Sequence, residues 1–156
     1  MATLTDDMKA YIAHNLGYLA TVDENGEPDL GPKMSLRVLD DHRLIYNEMT
    51  GKTIMKDLDA NGKVLVAFAN LKEMRGYRFG GKAILYREGE YFENAQKWAE
   101  AGHHPAPKAA GVIDIDTIWT LEPGPQAGEL YQGSVHYIHL RAHETGVQHD
   151  CLLLLY

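Results

Sequence analysis

The segment Tyr46-Asn47-Glu48-Met49-Thr50-Gly51-Lys52-Thr53 carries the densest set of groups suited to an anion. It reads as the end of a strand running into the start of a helix. Backbone N–H groups at a helix N-terminus lack intrahelical partners and favour negative charge. Gly51 lets backbone approach a ligand, Lys52 adds a positive charge, and Thr50 and Thr53 add hydroxyl donors. This combination suits a phosphate. Gly-Lys-Thr also occurs in P-loops, but that pattern needs a glycine where Tyr46 stands, so nucleoside-triphosphate hydrolysis fails on spacing. A capped helix with a surface lysine is the plainer alternative.

Two further segments gather cations in an acidic chain. Gly31-Pro32-Lys33-Met34-Ser35-Leu36-Arg37 reads as a proline-broken strand that can pair beside the one ending at Asn47. A broken strand exposes backbone groups to a flat polar ring, and Lys33 and Arg37 bring charge; an edge-strand bulge with solvated cations is the alternative. Arg75-Gly76-Tyr77-Arg78-Phe79-Gly80-Gly81-Lys82-Ala83 places glycines inside a strand, which marks a bulge or a close approach. His136, His139 and His143 would share one face only if helical, and no glutamate stands between them in zinc-protease spacing. His103-His104-Pro105 reads as a loop, with an equally weak case for a metal. Trp98 and Trp119 read as core or dimer contacts in preference to a ring-stacking pair. Cys151, followed by four leucines, reads as a buried thiol, and no serine or cysteine has a convincing histidine partner.

The elements that must position these groups follow from turns and periodicity. Thr5 caps a helix whose apolar stripe is Met8, Tyr11, Ile12 and Leu16, closed by Gly17. Tyr18 to Val22 is a strand, and Asn25-Gly26 turns it into a hairpin. The next strand runs from Glu27 to Leu39, interrupted near Gly31-Pro32, and Arg43 to Asn47 completes a three-stranded meander. Gly51 to Ala60 is a short helix stopped by Asn61-Gly62. Lys63 to Ala69 is a nearly continuous apolar run, as for a strand buried on both faces. Tyr77 to Arg87 is a strand, Tyr91 to Ala101 a helix closed by Gly102, and Gly111 to Leu121 the last strand of the main body. Six antiparallel strands with few crossover helices favour a small closed barrel over a doubly wound sheet.

The chain has 156 residues, enough for one domain with a core of its own. At 45% hydrophobic and 24% charged residues it has a globular balance, which excludes overall disorder. A net charge of −7 lacks the basic footprint of a nucleic-acid or anionic-membrane binder. A single cysteine points to a reducing, cytoplasmic setting, and no signal segment or membrane-length apolar run is expected. Residues 1–131 read as the barrel. Residues 132–156, with four of the eight histidines and none of the lysines, read as an extension of uncertain structure, in the same domain or exchanged between subunits.

Taken in order, these motifs resemble the FMN-binding split-barrel family of pyridoxamine 5′-phosphate oxidase-related flavoproteins, over about residues 5–130. The resemblance rests on Leu19-Ala20-Thr21-Val22 with Gly26-Glu27-Pro28, on Pro32 to Arg37, and on Leu44-Ile45-Tyr46-Asn47 with Gly51-Lys52-Thr53. Val64-Leu65-Val66, Phe79 to Ala83, and Asp114 to Trp119 with Glu122-Pro123-Gly124 and Ala127-Gly128 complete it. It implies a mainly β fold, a six-stranded antiparallel split β-barrel with short flanking helices. It further implies a homodimer with FMN at the interface.

Carried over by position, Lys52 and Thr53, with Thr50 and the Gly51 backbone, would hold the FMN phosphate. Pro32, Lys33, Met34 and Ser35 would run along the isoalloxazine, and Tyr46, Asn47 and Glu48 would line its ribityl and pyrimidine side. Lys33 is the cation that would face the N1–C2=O edge. The implied work is FMN-dependent redox chemistry with a small-molecule electron donor or acceptor, such as a nicotinamide nucleotide. A related enzyme on a small ring substrate, a split barrel binding haem or a deazaflavin, and a non-catalytic flavin module stay open. Arg141-Ala142-His143 has the residue types of the oxidase's substrate motif, but its surroundings differ, so oxidation of pyridoxamine 5′-phosphate is not carried over.

Overall fold

The computed structural model describes residues 1–133. The elements are α1 (Asp6–His14), β1 (Gly17–Val22), β2 (Pro28–Lys33), β3 (Arg37–Val38), β4 (Arg43–Glu48) and α2 (Thr53–Asn61), then β5 (Lys63–Asn70), β6 (Arg75–Tyr86), α3 (Glu90–Ala101), β7 (Ala109–Thr120) and β8 (Leu130–Gly133). All the strands join one antiparallel sheet in the order β2-β1-β5-β6-β7-β4-β3, with β8 added beside β7. This is the expected split β-barrel, with eight strands among the described residues where the sequence suggested six. The two additions are β3, cut off from β2 by a turn, and β8.

Local chemistry explains most element ends. Thr5 Oγ1 accepts from the Met8 amide, and Asp6 and Asp7 occupy the first turn of α1. Gly26, at φ +82°, closes the β1–β2 turn with its amide on the Asp23 carbonyl. Gly62, at φ +67°, caps α2 with its amide on the Leu58 carbonyl. The Gly80/Gly81 register shift in β6 is the bulge that glycines within a strand suggested. A β-carbon at Gly81 would overlap the carbonyl oxygen of Asp114 across the ladder.

Four expectations are corrected. Helix α1 stops at His14 rather than Gly17, which already pairs with Lys33 and Phe68 in β1, and Leu16 is exposed. The break after β2 falls at Met34-Ser35, not Gly31-Pro32. β2 is an edge strand, where prolines are tolerated. The three-stranded meander is absent: β4 pairs with β3 and β7, and the turn after β2, tied to β4 through Ser35, brings the end of β2 towards β4. Strand β5 alternates instead of being buried on both faces, with Val64, Val66 and Phe68 inward and Leu65 outward.

The main core lies inside the curled sheet and under α1. Met8, Ile12, Leu19, Leu44, Tyr46, Val66, Phe68, Phe79, Ile113 and Ile118 are buried together. A smaller cluster, Ile45, Ala95, Ala110 and Val112, seats α3 on the back of β4 and β7. Strand β4 is therefore buried on both sides, Tyr46 facing one cluster and Ile45 the other, which fixes where its C-terminal residues stand. Gln132, in β8, exchanges two hydrogen bonds with the backbone of Thr3. The histidine spacing His136–His143, the Arg141-Ala142-His143 triplet and Cys151 lie outside the described residues.

Candidate functional site

Where β2 ends and β4 ends, a cavity of about 340 Å³ opens. The sequence-predicted residues Pro32, Lys33, Met34, Ser35, Asn47 and Thr50 line it. Met49, Trp98, His104 and Pro105 complete the wall, the last three from α3 and the loop after it. The lining is apolar and aromatic with a few convergent polar groups, the usual make-up of a small-molecule site.

The polar groups are held from behind. Ser35 Oγ accepts from the Asn47 amide at 2.9 Å, tying the turn after β2 to β4. Asn47 Nδ2 donates to the Ala95 carbonyl at 2.8 Å, tying β4 to α3. Arg37 donates to the Ser35 carbonyl, Asn47 Oδ1 and Asn94 Oδ1, with its guanidinium 5.1 Å from the Trp98 ring centre. Burial lowers the Arg37 pKa to about 10, still far above neutrality, so the group stays charged. The His104 ring stacks on Trp98, with centroids 4.8 Å apart and planes 9° from parallel. His103, in the left-handed region at φ 56°, turns the chain so that the His104 amide returns to the Ala99 carbonyl.

The loop after β4 borders the cavity at Met49 and Thr50, and Glu48 lies beneath it. The Glu48 side chain is fully buried. One carboxylate oxygen accepts from the Thr50 amide, the Thr50 hydroxyl and the Gly51 amide. The other lies 3.4 Å from Lys33 Nζ. Burial pushes the Glu48 pKa up, but the Gly51 amide, the Lys33 charge and the two Thr50 donors together outweigh it and hold the group below its ordinary value. Lys33 Nζ also sits 5.5 Å above the Tyr46 ring.

The sequence-predicted set thus divides into layers. Tyr46 does not line the cavity: it is buried beneath it, its ring against Gly111 where a β-carbon would overlap it. Burial and the Glu48 charge hold its phenol far above the ordinary value. Glu48 also lies below the lining. The Thr50 and Gly51 donors expected for a ligand anion are taken by Glu48, which leaves the exposed Lys52 and Thr53 at the head of α2 for that role. Gly51, at φ +65°, packs under Lys108, whose Cδ lies 2.7 Å from where a β-carbon would stand. Lys108 therefore adds a cation beside Gly51 that the sequence reading missed. Trp98, His104 and Pro105 were missed as site residues too, because nothing local to them signals a cavity; only the fold brings them to it. No group of three metal-ligating side chains is found among the described residues.

The comparisons with known proteins bear on the fold and the family. The family model described as pyridoxamine 5′-phosphate oxidase matches residues 4–122. The chain belongs to that family. An uncharacterized protein of Methanocaldococcus jannaschii, MJ0282, is 34% identical over 131 residues, covering 81% of this chain and 87% of that one. Among solved structures, HupZ of Group A Streptococcus is 42% identical with a TM-score of 0.74, covering 80% of this chain and 99% of its own. An FMN-binding protein from Syntrophomonas wolfei is 22% identical with a TM-score of 0.64, covering 73% of this chain and 83% of its own, and shares the fold. The family and its split-barrel fold are thereby shown for this chain.

Proposed function

We propose that this chain binds FMN in the cavity between β2, β4 and α3 and carries out flavin redox chemistry with a small-molecule electron donor or acceptor. The observation that carries the reading is the convergence of Pro32, Lys33, Met34 and Ser35 with Asn47 and Thr50 on one cavity. Its apolar walls suit a flat ring. Lys52, Thr53 and Lys108 stand near the loop that would take the phosphate. When bound, FMN supplies the hydride and electron chemistry; the protein's part is to hold, orient and electrostatically bias the ring. Lys33 lines the cavity with its ammonium 3.4 Å from Glu48, Ser35 and Asn47 fix that wall, and Trp98 with His104 supplies the aromatic part of the lining.

The working form on this reading is a homodimer. Tyr18, Leu65, Ile84 and Trp119 fall on one face of the sheet by register, and the first three are 45%, 42% and 53% exposed. These exposed apolar side chains, with Lys63, Lys82 and Arg78 on the same face, suit a contact with a second copy of the chain.

The test is an absorption spectrum of the purified protein after FMN addition and desalting. Retained flavin bands are expected, with reduction of the bound flavin by a nicotinamide nucleotide as the follow-up. Loss of all flavin on desalting, or a haem-type band in its place from the expressing cell, would overturn the FMN reading.

A further inference from the structure

The two cations behind the cavity are compensated differently. Arg37 meets only neutral oxygens, those of Ser35, Asn47 and Asn94. Lys33, whose side chain is 10% exposed, faces a carboxylate that is itself fully buried. Glu48 is a costly choice for that place. A buried charge survives only when its oxygens are satisfied, and here three donors of the next turn hold one oxygen while Lys33 faces the other. A neutral glutamine would offer the same turn an acceptor. What the carboxylate adds is a negative charge directly behind the lysine.

Resting on the FMN reading above, we propose that Glu48 is a positioning residue that offsets the charge of Lys33 and thereby sets the electron affinity of the ring lying on the Pro32–Ser35 wall. Reduction places negative charge on the flavin's N1–C2=O edge. A cation beside that edge favours the reduced ring, and an anion behind the cation opposes it. Both groups are shielded from water, so solvent screens the offset weakly. Glu48 does not border the cavity, so it touches no ring atom and acts through its charge.

The experiment is the reduction potential of the FMN-loaded protein, by equilibration with an indicator dye, for wild type, E48Q, K33M and the K33M/E48Q double variant. FMN fluorescence titrations run alongside. E48Q keeps a carbonyl oxygen for the Thr50 and Gly51 donors. In E48Q the reduced flavin should bind about tenfold more tightly relative to the oxidised form, a rise of about 30 mV for a two-electron couple. K33M should lower the potential, and the double variant should return towards wild type. Equal potentials in wild type and E48Q, with flavin bound to both, would overturn the role of Glu48 and leave the FMN reading standing. A wild type that retains no flavin would overturn the FMN reading itself. If E48Q does not fold, K33M against K33M/E48Q measures the same charge without the lysine: a higher potential in the double variant supports the proposal, and equal values overturn it.

Discussion

Two hollows on this molecule differ in a way that their sizes do not reveal. The larger, about 470 Å³, is a groove across β1, β5, β6 and β7, with Ala20, Leu65, Gly80 and Trp119 in its walls. It exists because side chains are missing: a β-carbon at Gly80 would stand 3.0 Å from the Trp119 ring. The smaller, about 340 Å³, is framed by hydrogen bonds that cross between elements, Ser35 to Asn47 and Asn47 to Ala95. The groove is mostly apolar, with Thr21, Lys63 and Asp116 also in its lining. A gap braced by a satisfied polar web offers fixed charges and donors, which is what recognition of a small molecule requires. On the proposed reading the larger hollow belongs to the subunit contact and the smaller one to the cofactor.

Substitutions can break this contrast. The largest effect is expected on the groove's floor: Gly81→Val drives a side chain into the Asp114 carbonyl across the β6–β7 ladder. A loss of about 3 kcal/mol is expected in chemical denaturation. Asn47→Ala comes next. It strips the Ala95 carbonyl and Arg37 of a buried partner, and a loss of about 2 kcal/mol is expected, with weaker FMN retention. Lys52→Ala with Thr53→Ala touches two exposed side chains, so folding should be unchanged while the FMN dissociation constant rises roughly tenfold in a fluorescence titration. The smallest effect on stability, within about 0.5 kcal/mol, is expected for Leu65→Lys on the groove. Its signature lies in light scattering after size exclusion, where the dimer should give way to monomer. A loss of flavin without a change in mass would instead move Leu65 from the subunit contact to the cofactor.

The sequence disclosed whatever is decided within a few residues. Thr5 as a cap, Asn25-Gly26 as a turn, Gly62 as a stop and Gly80-Gly81 as a bulge each carry their own steric or hydrogen-bonding reason. The nearness of Pro32–Ser35 to Asn47 was also readable, although by the wrong route. Direct pairing of neighbouring strands was expected, whereas β4 pairs with β7 and the Ser35 hydroxyl makes the link. Leu65 misled because an apolar run has the same composition whether its outward residues meet core or a neighbouring surface. Glu48 was legible as a polar residue at a strand end, but its burial was not: that depends on Lys33 closing over it from fifteen positions away. Trp98, His104 and Lys108 reach the site from sequence-distant segments, beyond the range of any local pattern.

The bonds that bridge these segments also bear on cooperativity. Asn47 joins β4 to the carbonyl of Ala95, and the Glu48 carbonyl accepts from the Lys108 amide at 2.8 Å. The cavity is therefore assembled from stretches that meet only once the sheet has curled and α3 has docked on it. No fragment of the chain carries a complete binding surface, and the unfolded chain carries none. By mass action, an occupant that binds only the folded form stabilises the whole protein by about 2.7 kcal/mol at a hundredfold excess over its dissociation constant. Occupancy and melting temperature are then two readings of a single equilibrium, so a thermal scan across candidate cofactors ranks them by affinity without knowledge of the reaction.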